Sequence, residues 1–449
     1  MISQLILVLR RRYTPFSFKA KFYLSPQRAM STSPDPHSAP KKLLNDRNFE
    51  EGEIRYHKGG FHPVRLGEIY NSKYKVLRKL GYGRYSTVWL VKNQDPLTHN
   101  TVLANHNNRA QKLWAMKVLS AECYGAGTDV FELEIMQHLT EKNPEHEGYP
   151  YISTLHDSFR HEGPNGSHVC LIMKVMGETL STFANWFDNR QIPHPLVHLY
   201  SWQLLAALDY AHSCGVIHTD IQPRNIMMKI PDESVIERYL ETSEPVSNPD
   251  TQESAAGSNV VATQSLRDVY FPENFNLMNV HVALGDWGVA SWVDRHLTEH
   301  IQPVLLRSPE VLLEAPWGPA VDIWNLGALV PEMIYAQQTF SGESPEGKYS
   351  THQHLEEIAT LLEPFPKSLL DKGNREIVKP VFDEDGNISE KRLTRSVGLE
   401  QRFKDMPDNE RNKFIEFVRA LMTVDPEKRE SAKVLMDHPW FKYDYSIGG

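Results

Sequence analysis

Apolar and polar residues alternate from Tyr74 to Leu80, which predicts a strand. It runs through Gly81-Tyr82-Gly83-Arg84-Tyr85-Ser86 into a second strand ending at Val91. A third strand, Leu113–Leu119, holds one lysine, Lys117, in an apolar setting. Val130 to Leu139 shows helical periodicity. Val169–Met173 has the continuous apolar character of a buried strand, followed by the short connector Lys174-Val175-Met176-Gly177. From His198 to Cys214 the apolar residues recur at helical spacing, and a further strand is predicted at Asn279–Gly285. The rest of the chain is mainly helical. A strand-rich beginning ahead of a helix-rich remainder suits either two or three domains or one large bilobal enzyme with unstructured ends.

Two regions interrupt this pattern. Residues 1–30 are basic, with Arg10, Arg11, Arg12, Lys19, Lys21 and Arg28 and no acidic residue before Asp35. They read as a mitochondrial transit peptide, a disordered basic tail, or an extension upstream of a start at Met30. Ser31–Pro40 reads as a linker. Between Asn225 and Asp286 lie roughly sixty residues, too many for a plain loop in a compact domain. Ser234–Leu240 is expected to be helical there, and Glu241–Gln264, dense in Ser, Glu, Pro and Asp, to be disordered.

Composition narrows the class. The 449 residues are 40% hydrophobic and 23% charged, ordinary for a globular protein, and no apolar run is long enough to cross a bilayer. A net charge of −9 argues against direct nucleic-acid binding, and no membrane partner is expected. Cys123, Cys170 and Cys214 form no paired spacing, so neither a disulfide framework nor a cysteine-type zinc site is expected, and a reducing compartment is the default.

The candidate chemistry centres on His218-Thr219-Asp220-Ile221-Gln222-Pro223-Arg224-Asn225 and the later Asp286-Trp287-Gly288. Phosphoryl transfer needs a carboxylate to receive the hydroxyl proton, here Asp220. It also needs an amide and a second carboxylate to hold Mg²⁺ on the ATP phosphates, here Asn225 and Asp286. Upstream, Gly81 and Gly83 on a hairpin would let backbone N–H groups approach phosphate, although a plain turn has the same pattern. Lys117 is read as the cation that holds the phosphates. Glu134, between apolar neighbours, is its expected partner; Glu132 is the nearby alternative, read in preference as solvated. Lys174 to Gly177 would be the hinge on which adenine is bonded, with Met173 at the back of the pocket.

In order, these signals read G-x-G-x-x-S-x-V, A-M-K, an acidic helix, H-x-D-x₄-N, D-x-G, Ser308-Pro309-Glu310, Asp322-Ile323-Trp324 and a late Arg429. The chain resembles a eukaryotic protein kinase across roughly residues 70–441. It is most similar to the serine/arginine-protein kinases, through Tyr56-His57-Lys58-Gly59-Gly60-Phe61-His62-Pro63-Val64, Gly83–Trp89, His161–Leu171, His218-Thr219-Asp220 and Thr298–Gln302. The resemblance implies an α+β, bilobal protein-kinase fold with a small β-rich N-lobe at 46–176 and a larger helical C-lobe at 177–445. A spacer-like insert would occupy about 231–278, and 1–45 would be disordered or targeting. It implies Ser/Thr phosphorylation with ATP and Mg²⁺. Asp220, Lys117, Glu134 and Gln222 would be catalytic. Leu80, Gly81, Gly83, Val88, Ala115, Lys117, Met173, Lys174 and Met176 would contact the nucleotide, and Asn225 and Asp286 the metal. Glu310 and Arg429 would form a buried ion pair, and Asp322 would brace the catalytic loop. Protein substrates of Arg/Ser-rich type, a monomeric state and a cytoplasmic or nuclear location follow as expectations, with a mitochondrial location if the N-terminus is a transit peptide.

The chain departs from the resemblance on the acceptor side. Gln222 stands where active kinases carry a lysine near the γ-phosphate, and Pro303 where a threonine bridges that lysine and the base. Thr219 replaces an arginine that in many kinases receives an activation-loop phosphate. The docking helix of the family is acidic, whereas the matching stretch here reads Thr351-His352-Gln353-His354-Leu355, with Thr360 at the later acid. Asp383-Glu384-Asp385 is acidic but elsewhere, and reads as a solvated loop. A weakened kinase is expected; the alternative is a nucleotide-binding pseudokinase scaffold, and a small-molecule phosphotransferase on the same fold is a further rival.

Overall fold

The computed structural model describes residues 51–94, 112–125, 130–230, 233–242, 277–389 and 398–442. The basic N-terminal stretch and most of the Glu241–Gln264 segment lie outside them.

Six antiparallel strands form the first layer: β1 (Ile69–Tyr70), β2 (Tyr74–Tyr82), β3 (Ser86–Asn93), β4 (Leu113–Leu119), β5 (Leu155–Gly163) and β6 (Gly166–Met173), in the spatial order β1-β2-β3-β4-β6-β5. The alternation of Tyr74–Leu80 has its physical cause here. Tyr74 and Val76 are buried with Trp89, Val91, Met116, Val118, Cys170 and Ile172 on one face of the sheet. Since side chains alternate across a strand, the residues between them face the other way. Register places Val88 opposite Lys117 opposite Leu171, and Leu90 opposite Ala115 opposite Met173. Val88, Ala115, Lys117 and Met173 therefore share one face.

Helix α1 (Glu132–Glu141) packs against this sheet. After the hinge come β7 (Met176–Thr179) and the 20-residue α2 (His194–Ser213), whose apolar stripe is buried on nearly every turn. The short strand β8 (Val216–Ile217) pairs with β11 (Ser291–Trp292), and β9 (Ile226–Lys229) lies between β7 and β10 (Val282–Leu284). The predicted helix around Ser234–Leu240 is present as α3 (Glu233–Thr242). Helices α4 (Ala320–Tyr335), α5 (Thr351–Leu361) and α6 (Asp408–Leu421) complete a helical lobe. Its core runs from Leu204 and Leu208 of α2 through Trp324 and Leu326 of α4 to Phe414 and Phe417 of α6. Among the described residues no helix is long and apolar enough to cross a membrane.

The expected ion pair of Glu310 and Arg429 is present, with both side chains fully buried. Arg429 donates from Nη1 to Glu310 Oε1 at 2.7 Å and from Nη2 to Oε2 at 3.1 Å. It also donates to the carbonyls of Thr423 and Ala320 and lies over the Trp324 ring. With a long contact from Nη2 to the Val424 carbonyl at 3.5 Å, all five donors of the guanidinium are used. Arg429→Met would leave a buried carboxylate alone, and it is expected to lower unfolding stability by about 3–5 kcal/mol, read by urea denaturation.

Candidate active site

The cleft between the two layers collects the sequence candidates. Lys117 Nζ lies 2.5 Å from Glu132 Oε1 and 2.8 Å from Asp286 Oδ1. Burial works to lower the Lys117 pKa, but the carboxylates of Asp286 and Glu132 override it and hold the amine protonated. Asp286 is held below the usual carboxylate range, chiefly by Lys117. Burial pushes Glu132 up, and Lys117 opposes that push. Asp286 leaves 53% of its side chain open to the cleft, so its carboxylate is accessible to a ligand.

The pairing corrects the expectation for Glu134. Its side chain is 59% exposed and meets Arg295 at 3.2 Å. Glu132 is 2% exposed and carries the buried pair. The reason is helical phase: α1 begins at Glu132 and buries Glu132, Ile135, Met136 and Leu139, a stripe at i, i+3, i+4 and i+7. Glu134 is two positions, about 200°, from Glu132 and turns outward. The stripe was readable in the sequence, because Glu132 is in phase with those three apolar residues.

The catalytic stretch sits between β8 and β9, where two short pairings fix its ends. Asp322 of α4 braces it as expected. Its Oδ2 accepts from His218 N at 2.8 Å and meets His212 Nε2 at 2.9 Å, and its Oδ1 accepts from Thr219 N at 2.9 Å. These bonds hold Thr219 at φ 66°, a left-handed conformation that non-glycine residues rarely adopt. His218 packs edge-on against Trp287 and bonds the Gly285 carbonyl at 2.9 Å, joining the catalytic stretch to Asp286.

Asp220 accepts three short side-chain contacts. Gln222 Nε2 lies 2.9 Å from each of its oxygens, and Asn225 Nδ2 lies 2.7 Å from Oδ2. Asn225 Nδ2 also donates to the Asp220 carbonyl at 2.8 Å. Gln222 therefore orients Asp220 and occupies both of its acceptor edges.

Asn225 and Asp286 end neighbouring strands. Ile226 pairs with Leu284, and Gly285 N donates to Asn225 O at 2.8 Å, so the two side chains leave the same end of the β9–β10 pair. Both offer oxygen, the donor that Mg²⁺ requires. Across the cleft, Gly81 pairs with Val88, and a Cβ at Gly81 would meet nothing within 4 Å. At Gly83 it would meet only Ser86 Oγ, at 3.5 Å. The fold itself does not require these glycines; they leave room for close approach of backbone to a phosphate. Leu80, Val88 and Ala115 form an apolar roof with Leu90 and Val175. Met173 ends β6, exposed Lys174 follows, and half-buried Met176 begins β7, so these three residues span the hinge.

Two features had escaped the sequence reading. Helix α3 crosses to the sheet: Glu233 Oε1 accepts from the backbone N–H of Lys112 at 2.9 Å and Leu113 at 3.2 Å, while Ile236 is buried with Leu90, Leu113, Ala115 and Val175. The inserted segment thus packs against the hinge and the roof of the pocket. The activation segment, moreover, is held without any arginine before Asp220. Thr219 Oγ1 donates to Val289 O at 2.8 Å, and Gln302 N donates to Thr219 O at 3.0 Å. Gln302 in turn donates to Val321 O and accepts from Ser308 N, each at 2.9 Å. Thr219 and Gln302 give little local signal, since Val289 and Asp322 lie 70 and 103 positions from Thr219, and Val321 of α4 lies 19 positions from Gln302.

A sheet over a helical lobe, with a lysine–carboxylate pair facing an Asp–Asn–Asp constellation, defines an ATP-dependent phosphotransferase of the protein-kinase class. The family model described as protein kinase domain matches residues 74–236 and 267–441, and the chain belongs to the protein kinase family. Among serine/threonine kinases, it is similar to the serine/threonine-protein kinase SRPK of Physarum polycephalum, 28% identical over 87% of this chain and 91% of that one. Protein kinase dsk1 of Schizosaccharomyces pombe is 27% identical over 88% of this chain and 86% of its own length. SRSF protein kinase 3 of Homo sapiens is 23% identical over 91% and 93%. A solved kinase-domain crystal structure shares the fold, with a TM-score of 0.58 and 19% identity, covering 84% of this chain and 98% of that one.

Proposed function

We propose that this chain transfers the γ-phosphate of ATP to serine or threonine hydroxyls of protein substrates, with Mg²⁺ as the metal. The observation that carries the reading is Lys117 locked between Glu132 and Asp286, opposite an Asp220 already oriented by Asn225. Lys117 would hold the phosphates, and Asn225 and Asp286 would hold the metal, which neutralises charge on the transferring group. Leu80, Gly81, Gly83, Val88 and Ala115 would cover the nucleotide, and Met173, Lys174 and Met176 would line the adenine side. Asp220 would take the hydroxyl proton after one amide contact from Gln222 turns away.

The activation segment is already tied down through Thr219 and Gln302, which supports activity without prior phosphorylation. The intact lysine, base and metal positions weigh against a pseudokinase scaffold. Arg/Ser-rich proteins are the favoured substrate class because the similar kinases carry SR-protein names. The basis for docking such substrates is altered, however. In α5, Gln353, His354 and Glu356 are buried, so they present no acidic surface, and Asp383 spends its carboxylate on the backbone of Asp385 and Asn387. Single-site rather than processive phosphorylation is the reading that fits.

Purified chain, labelled ATP and Mg²⁺ with an Arg-Ser peptide and a generic basic peptide test this directly. Transfer to Ser or Thr is expected, and more to the Arg-Ser peptide. Transfer no greater than that of Asp220→Ala would overturn the reading, and thermal stabilisation by Mg-ATP without turnover would favour the scaffold.

A further inference from the structure

Where the sheet brings its two edge strands together, with the Tyr70 ring of β1 4.6 Å from His161 of β5, imidazoles and a carboxylate gather from three separate segments. His62 comes from the irregular entry segment, Glu68 from the turn before β1, and His161 from β5, and one donor atom of each lies within 4.8 Å of the others. His62 is 4% exposed, and neither of its ring nitrogens has a hydrogen-bond partner. A buried imidazole with both nitrogens idle is a costly arrangement, because one N–H and one lone pair have both left water. Its surroundings are shaped for it: a Cβ on Gly163 would fall 2.2 Å from His62 Nδ1.

The neighbouring groups are already oriented. Glu68 Oε2 accepts from Tyr70 Oη at 2.9 Å and from Arg65 N at 3.1 Å, bonds that fix a carboxylate in the way supporting residues fix a metal ligand. The His161 ring packs 4.5 Å from that of His62 and 4.6 Å from Tyr70. Behind them His168 is fully buried, bonds the Leu119 carbonyl through Nδ1 at 2.9 Å, and packs 5.0 Å from His62.

We propose that His62, Glu68 and His161 bind one divalent cation of the zinc type, with solvent in the fourth position. Two imidazole nitrogens and a carboxylate oxygen are a donor set that suits Zn²⁺ and not Mg²⁺ or Ca²⁺. Bond lengths of about 2.0–2.2 Å at tetrahedral angles require donors about 3.3–3.5 Å apart. The half-exposed Glu68 and His161 must therefore close on His62 by roughly one ångström, which side-chain rotation supplies. No cysteine takes part.

The metal would tie the entry segment to the β5–β6 hairpin. That segment is already tied there through Gly59 N to Asn165 O at 2.7 Å and Asn165 Nδ2 to Phe61 O at 2.6 Å. It also accepts the N–H groups of Ala121 and Glu122, just after β4, on Gly60 O and Gly59 O. The clamp would thus steady the end of β4, the strand that carries Lys117.

The test uses the full chain, stripped with chelator and titrated with ZnCl₂ by calorimetry and thermal unfolding, with MgCl₂ as the comparison. One Zn²⁺ per chain with Kd about 1 µM or tighter and a raised Tm is expected, with no such response to MgCl₂. His161→Phe and Glu68→Gln, both at half-exposed positions, are expected to weaken zinc binding by at least about tenfold and to remove most of the Tm gain. Circular dichroism of the metal-free variants checks that they fold. Absence of binding, or binding unchanged in both variants, would overturn the proposal and leave the three imidazoles as packing only.

Discussion

Glu132→Gln is expected to lower kcat/KM for ATP by about 10²-fold or more, whereas Glu134→Gln should change it by less than about threefold. Glu132 is the buried partner of Lys117, and its loss would leave the amine held by Asp286 alone. Asp286 would then serve two tasks, anchoring the lysine and holding the metal. Removing one partner of a buried pair also leaves an uncompensated charge, so Lys117 would shift toward whatever carboxylate remains. Glu134 pairs with Arg295 at the surface, where both side chains are 59% exposed. Such a pair is worth about 0–1 kcal/mol and touches no phosphate-binding group. Steady-state kinetics with varied ATP separates the two. The opposite pattern, a large loss with Glu134→Gln alone, would mean that α1 turns by about 200° in the active state.

Gln222→Lys is expected to raise kcat for a Ser-containing peptide by about tenfold, with little change in KM for ATP. A cation at this place would meet the charge that develops on the transferring phosphoryl group. Removing such a stabiliser costs about 10²–10³ in rate, and Gln222 keeps part of the benefit through its amide N–H. In the structure that amide lies 2.9 Å from both oxygens of Asp220, so at present it orients the base. Pro303 limits the gain. It has neither a hydroxyl nor an N–H to bridge a lysine to Asp220, and its neighbour Gln302 is committed to Val321 and Ser308. Single-turnover phosphoryl transfer reads the effect on chemistry. An unchanged or lower rate would show a site built around glutamine, with Gln222 needed to position Asp220.

Where the sequence reading failed, the cause was phase or distance. Choosing between Glu132 and Glu134 turned on helical phase: Glu132 shares a stripe with Ile135, Met136 and Leu139, and a shift of two residues moves a side chain to the opposite face. The helix near Ser234–Leu240 was legible from its own pattern, but its docking on Leu113 and Val175 was not, because nothing in those residues names a partner more than sixty positions away. The same holds for Thr219 and Gln302. Thr219 stands where many kinases carry an arginine, and only the backbone carbonyls of Val289 and Val321 reveal what Thr219 and Gln302 hold.

Sequence by itself determined the order of the chemistry. The glycine hairpin, Lys117, Asp220, Asn225 and Asp286 recur at spacings set by local requirements: a tight turn, a strand, a loop between short strands. The alternation of apolar residues likewise determined a sheet followed by helices, since side-chain direction has a fixed period in each element. Tertiary structure alone decided how Gln222 engages Asp220, how the activation segment is held, and that His62, Glu68 and His161 come together. Except for Gln222 and Asp220, two positions apart in one loop, those contacts join residues distant in the chain, and all of them depend on how the sheet, the helices and the loops between them pack.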